Sequence, residues 1–178
     1  MYYNQISNNV FYLYLFIMSE SELTKVLIKN LQKKEELKKI DRQFKNKKVE
    51  FRREIGNSSF RADIFITLQK GVQFNPSKLD NTNFIAIEVK IKDWRQGFYQ
   101  AWRYNSFAEK SYLAIYKKYS KNIDVSLFID NNIGLIVFDE NEINVVNHPK
   151  QRTFKKHDSY SISLRKKIWN SLPSVERI

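Results

Sequence analysis

Asp63 stands in the run Arg61-Ala62-Asp63-Ile64-Phe65-Ile66, and Glu88 and Lys90 stand in Phe84-Ile85-Ala86-Ile87-Glu88-Val89-Lys90-Ile91. Two carboxylates and an ammonium that converge have a definite chemistry. A hard divalent cation such as Mg²⁺ takes oxygen ligands, commonly one or two carboxylates plus waters and phosphate oxygens. Such an ion polarises a phosphate and lowers the pKa of a bound water, while a lysine positions that water or offsets developing negative charge. The plainer alternative is a polar strand face, with Glu88 and Lys90 as solvated neighbours and Asp63 an acid near a turn. Glu-x-Lys alone is a weak signal. Its context is stronger, because both charges interrupt an apolar run where an unpaired charge is expensive.

The elements that must position these residues are two strands. Both runs are rich in β-branched and aromatic residues. The stretch from Gln69 to Asn83 between them carries Gly, Asn, Ser, Asp and a Pro, and reads as a long hairpin connection. Antiparallel pairing brings Asp63 towards Glu88. The two-residue strand period puts Lys90 on the face of Glu88 and turns Val89 to the other side. Next, Asp93 is placed as the N-cap of an amphipathic helix running to about Lys110, on which Gln100 and Tyr104, four apart, share a face.

Asp63, then Glu88-Val89-Lys90, then a helix with Gln100 and Tyr104 resembles the PD-(D/E)XK nuclease superfamily, over roughly Glu20 to Asp139. The resemblance implies an α/β fold of restriction-endonuclease-like type: a single domain with a central mixed β-sheet flanked by helices. It implies Asp63 and Glu88 as metal ligands, the Val89 carbonyl as a further ligand, Lys90 as the catalytic lysine and Gln100 as a residue ordering the site. It also implies an acid on the first helix, for which Glu22 is the candidate; capping of that helix explains Glu22 equally well. Ala62 stands where the superfamily's name-giving proline would be.

Composition bounds the rest. The chain has 178 residues, enough for one domain with its own core. With no cysteine there is no disulfide, thiolate zinc site or cysteine nucleophile, and two histidines leave little for an imidazole metal site. The formal net charge of +12 suits a polyanionic partner. Abundant Lys, Asn, Ile and Tyr codons of an AT-rich genome account for part of that charge.

In chain order, residues 1–18 form an N-terminal extension. Its apolar run Val10 to Met18 is shorter than the about 20 residues a bilayer needs and lacks signal-peptide features. Met18 itself begins Met-Ser-Glu-Ser-Glu, which looks like a start. Residues 19–147 form the nuclease-like core. Ser19-x-x-Glu22 is a capping box opening a helix to about Ile40. Strands follow at 49–55, at the Asp63 and Glu88 runs, at Tyr112–Tyr116 and at Gly134–Phe138, with a short helix at 124–129 and an edge strand at 142–146. Glu54 reads as a second acid near the site or a surface partner of Arg52 or Arg61.

Residues 148–178 form a basic tail with a helix at 162–172 that carries Arg165, Lys166 and Lys167 and turns Trp169 toward the body. Arg61, Arg95, Arg103, Lys155 and Lys156 are candidate nucleic-acid contacts. Trp94 and Trp102 are candidates for stacking on nucleic acid, though burial is the default for tryptophan.

The reading is a Mg²⁺- or Mn²⁺-dependent DNA endonuclease in the cytoplasm, without a small-molecule cofactor or membrane partner. A homodimer would let two single sites cut both strands. The alternatives are a non-catalytic nucleic-acid-binding or scaffold protein of the same fold, and, more remotely, a membrane-associated accessory protein using residues 10–18.

Overall fold

Leu23, Leu27 and Leu31 recur at helical spacing and are buried, which fixes helix α1 (Glu20–Leu31) against one face of a sheet. The computed structural model describes residues 18–42, 44, 47–55, 61–70, 79, 82–154 and 158–172. After α1 come α2 (Lys34–Ile40), β1 (Lys47–Ile55), β2 (Ala62–Lys70), β3 (Thr82–Lys90), α3 (Trp94–Tyr104) and β4 (Lys110–Tyr116). A 3₁₀ turn (Lys117–Tyr119), α4 (Val125–Asp130), β5 (Gly134–Phe138), β6 (Ile143–Asn147) and α5 (Ser159–Ser171) complete the order.

The strands form a mixed sheet in sequence order, six strands among the described residues. β1–β2, β2–β3 and β5–β6 are antiparallel; β3–β4 and β4–β5 are parallel. The chain is thus one α/β domain with a mixed sheet flanked by helices. β6 is the edge strand expected of 142–146. The long apolar runs of β2 to β5 are explained by burial on both faces.

Alternation along β3 sorts the two cores. Ile85, Ile87 and Val89 face the α1–α2 side with Ile64 and Ile66, while Phe84 and Ala86 face Phe65, Tyr104, Leu164 and Trp169. A third cluster seats Phe98 and Ala101 of α3 on Leu113, Ile115 and Phe128. Each such aromatic or leucine contributes about 1.5–3 kcal/mol when fully buried.

Three expectations need correction. The helix expected to run to about Lys110 ends at Tyr104, and Lys110 already opens β4. The single helix from Glu20 to Ile40 is broken at Gln32 and Lys33, where Lys33 is extended. Leu37 lies six residues after Leu31, about 240° around a continuous helix. The break restores phase, so Leu37 and Ile40 also reach the core. The C-terminal helix likewise begins at Ser159 rather than Ile162, and Arg165 does not point outward. It is buried, pairing with Glu109 at 2.8 Å, donating to the carbonyls of Phe107 (2.7 Å) and Thr82 (2.9 Å), and lying over the Phe84 ring. Lys166 and Lys167 are exposed, and Trp169 packs inward as expected. Among the described residues no helix is long and apolar enough to cross a membrane. The expectations for residues 1–17 and for Lys155 and Lys156 lie outside the described residues.

Candidate active site

The β2–β3 pairing ends at Ile64↔Ile87, and the residues just beyond it, Asp63 and Glu88, come together at that end of the two strands. One Asp63 carboxylate oxygen, Oδ2, accepts the Val89 N–H at 2.8 Å. Lys90 Nζ reaches Glu88 Oε1 at 2.9 Å. Asp63, 25 positions before Glu88 in the sequence, therefore forms one cluster with Glu88 and Lys90, and Val89 joins it through its backbone.

Glu88 is 2% and Lys90 7% exposed, whereas Asp63 is half-buried and open on one side. Burial pushes the Glu88 carboxyl above its ordinary value; Asp63's charge adds to this, while hydrogen bonds from Tyr104 and Lys90 oppose it. Asp63 is also pushed up by burial, against the Val89 N–H and Lys90. Lys90 is moved up as well: burial works the other way, but the hydrogen bond and charge of Glu88, and then Glu20, outweigh it. The lysine is therefore a fixed cation at neutral pH.

Glu88's second oxygen, Oε2, is met by the Tyr104 hydroxyl, which also lies 2.6 Å from the Arg61 carbonyl. One hydroxyl proton serves one acceptor. The hydroxyl therefore donates to Glu88 Oε2 or to the Arg61 carbonyl at any one time. Tyr104 is fully buried, and burial with the charge of Glu88 drives its hydroxyl pKa far up, so it remains a donor.

The acid that the first helix brings is Glu20, not Glu22. Glu20 Oε2 lies 3.3 Å from Lys90 Nζ. Glu22 closes the capping box, accepting from the Ser19 N–H at 2.7 Å while Ser19 Oγ accepts from the Glu22 N–H at 3.2 Å. The periodicity held the signal: Glu20 leads the Leu23, Leu27, Leu31 stripe, while Glu22 falls off it. Tyr104's part could have been read from its spacing to Gln100. Gln100 itself lies one turn earlier on α3, and its Oε1 is buried with no hydrogen-bond partner among the described residues.

The basic candidates divide. Arg61 is exposed and pairs with Glu54 at 3.3 Å, and the charge of Glu54 also reaches Asp63, so Glu54 is both a surface partner of Arg61 and an acid near the site. Arg95 and Arg103 are exposed on α3, Arg95 lying 4.7 Å over the Trp94 ring. Trp94 packs on Phe128, and Trp102, expected to be buried, is 51% exposed.

Asp63 and Glu88 are an all-oxygen donor set suited to Mg²⁺ or Mn²⁺, and the orphaned Gln100 oxygen is a further acceptor on the same side of the sheet. Among the described residues no three His, Cys, Asp or Glu side chains form a complete cage. Mg²⁺ does not need one, since it keeps waters and takes phosphate oxygens. Glu88 as it stands is engaged on both oxygens, so ligation would draw on a carboxylate now shared with Lys90 and Tyr104.

No protein-family model and no curated protein matches this chain. Among solved structures it is similar to the SPO1766 protein of unknown function from Silicibacter pomeroyi. The two share 13% identity over 68% of this chain and 73% of the other, with a TM-score of 0.43.

Proposed function

We propose that this chain is a divalent-metal-dependent DNA endonuclease of the PD-(D/E)XK type, with the restriction-endonuclease-like variety of mixed α/β sheet. The observation that supports it is the convergence of Asp63, Glu88 and Lys90 at the end of β2 and β3, with Glu20 and Tyr104 holding the lysine and the buried acid. Asp63 and Glu88 would hold Mg²⁺ or Mn²⁺, with the Val89 carbonyl as a further oxygen. Such an ion supplies Lewis-acid polarisation of the scissile phosphate and a more acidic bound water.

The protein's own contributions follow from the geometry. Lys90, kept cationic by Glu88 and Glu20, does not take a proton; it orients the attacking water and offsets charge growing on the phosphate. Tyr104 fixes the Glu88 carboxylate, and Gln100 offers an oxygen to order water. The net charge of +12 would hold the DNA backbone, with Arg95 and Arg103 on the outer side of α3 and with Lys155 and Lys156 of the C-terminal tail. Two copies would cut two strands. A cytoplasmic location accompanies this reading.

One observation favours a second reading. Both Glu88 oxygens have protein partners, as a purely structural buried pair would, and this suits a non-catalytic nucleic-acid-binding protein. Incubating supercoiled, linear and branched DNA with the protein in Mg²⁺, Mn²⁺ or EDTA separates the two. Metal-dependent cutting that is lost in Asp63→Ala supports the nuclease. Tight binding without cutting supports the alternative.

A further inference from the structure

The sheet-facing side of α3 buries Gly97, Phe98, Ala101 and Tyr104, and the opposite side presents Arg95, Tyr99, Trp102 and Arg103. Tyr99 is 67% and Trp102 51% exposed. At spacings of three, four and seven these four side chains form a single stripe. Rings of this size normally bury most of their surface, so two adjacent ones left in solvent between two cations are a surface awaiting a ligand.

The charge says which ligand. From Trp94 to Tyr104 there is no acidic residue, and the neighbouring Asp93 is committed to the Gln96 N–H as N-cap. On α2, by contrast, Lys38 and Lys39 are matched by Glu35 and Glu36. Neither Arg95 nor Arg103 has an ion pair among the described residues. The occupant must therefore be anionic and offer flat faces. Single-stranded nucleic acid offers both, whereas a duplex keeps its base faces inside the stack. A protein partner could use the same residue types, but an unrelieved positive stripe on a chain of net charge +12 favours a polyanion.

We propose that this face of α3 is a stacking platform for single-stranded nucleic acid, bases lying on Tyr99 and Trp102 and phosphates on Arg95 and Arg103. The inner side of the same helix abuts Lys90 at Gly97 and Glu88 at Tyr104. The platform thus rests on the nuclease reading for one consequence only: the DNA cut at that site carries an unpaired stretch, as a flap, branch or gap does.

Fluorescence anisotropy in EDTA tests it, with a labelled thymidine strand of about twelve nucleotides and a duplex of equal length at one salt concentration. The wild type binds the strand more tightly than the duplex. Tyr99→Ala and Trp102→Ala each weaken the strand about tenfold and leave the duplex unchanged, and Trp102→Phe restores most of the loss. Melting curves should be unaltered, since both rings are exposed. Equal strand binding by the alanine variants, or equal loss for strand and duplex, overturns the platform. So does a change in oligomeric state by light scattering with strand binding intact. Because EDTA removes metal chemistry, Asp63-dependent cleavage with no stacking effect would sink the platform alone. Ring-dependent strand binding with no cleavage in Mg²⁺ would sink only the nuclease.

Discussion

Gly97 lies so close to Lys90 that a Cβ built on it would stand 2.7 Å from Lys90 Cγ and 2.5 Å from Leu113 Cδ1. The missing side chain lets α3 settle on β3 and β4 and clamps the lysine stem beside Glu88. Leu113 is fully buried and has nowhere to go. Gly97→Ala should therefore cost about 1–3 kcal/mol by overpacking, less the fraction returned by helix propensity. It should also slow cleavage by displacing Lys90. Urea denaturation and a cleavage rate measure both; an alanine variant at least as stable as wild type contradicts this packing.

Tyr104→Phe removes the hydroxyl that lies between Glu88 Oε2 and the Arg61 carbonyl while keeping the ring among Phe107 and its neighbours. A buried acceptor left unpaired costs about 1–3 kcal/mol. The variant should unfold at lower urea and cut DNA more slowly, with its binding of DNA retained.

Glu20 and Glu22 make a paired comparison. Glu22→Ala loses one half of the capping box and should lower stability slightly with the cleavage rate preserved. Glu20→Gln removes the second carboxylate on Lys90 and should slow cleavage with little change in stability. The reverse pattern in the cleavage assay would return the role to Glu22.

The upward push on Asp63 has a pH signature. A carboxyl whose folded pKa is raised binds its proton better when folded, so its stabilisation is complete below the unfolded value, about pH 4. That stabilisation is lost as pH rises through the folded value. Asp63→Asn, which keeps an oxygen for the Val89 N–H, should melt above wild type near neutral pH, and the gap should close towards about pH 4. Melting curves across that range, with and without Mg²⁺, check it: the cation should raise the wild-type midpoint and leave that of Asp63→Asn in place.

Much of this was legible because charges stand out in apolar strands. Glu88 and Lys90 interrupt β3, and the two-residue period alone put them on one face with Val89 on the other. What escaped depended on phase or on distant partners. The six-residue step from Leu31 to Leu37 signals a helix break only if the phase is followed, and the same phase separates Glu20 from Glu22. Arg165 reads as surface charge until Glu109, over fifty residues away, is folded beside it. Trp102 reads as core by type, yet Ala101 and Tyr104 beside it take the buried side of α3.

The rate at which the protein nicks supercoiled plasmid in Mg²⁺, with enzyme in excess, measured for wild type and Lys90→Ala at matched DNA occupancy, tests the account most directly. The account predicts metal-dependent nicking by wild type, abolished in EDTA, and a loss of at least about a hundredfold in the variant. Equal rates, or no nicking by a wild type that binds the plasmid, would contradict it.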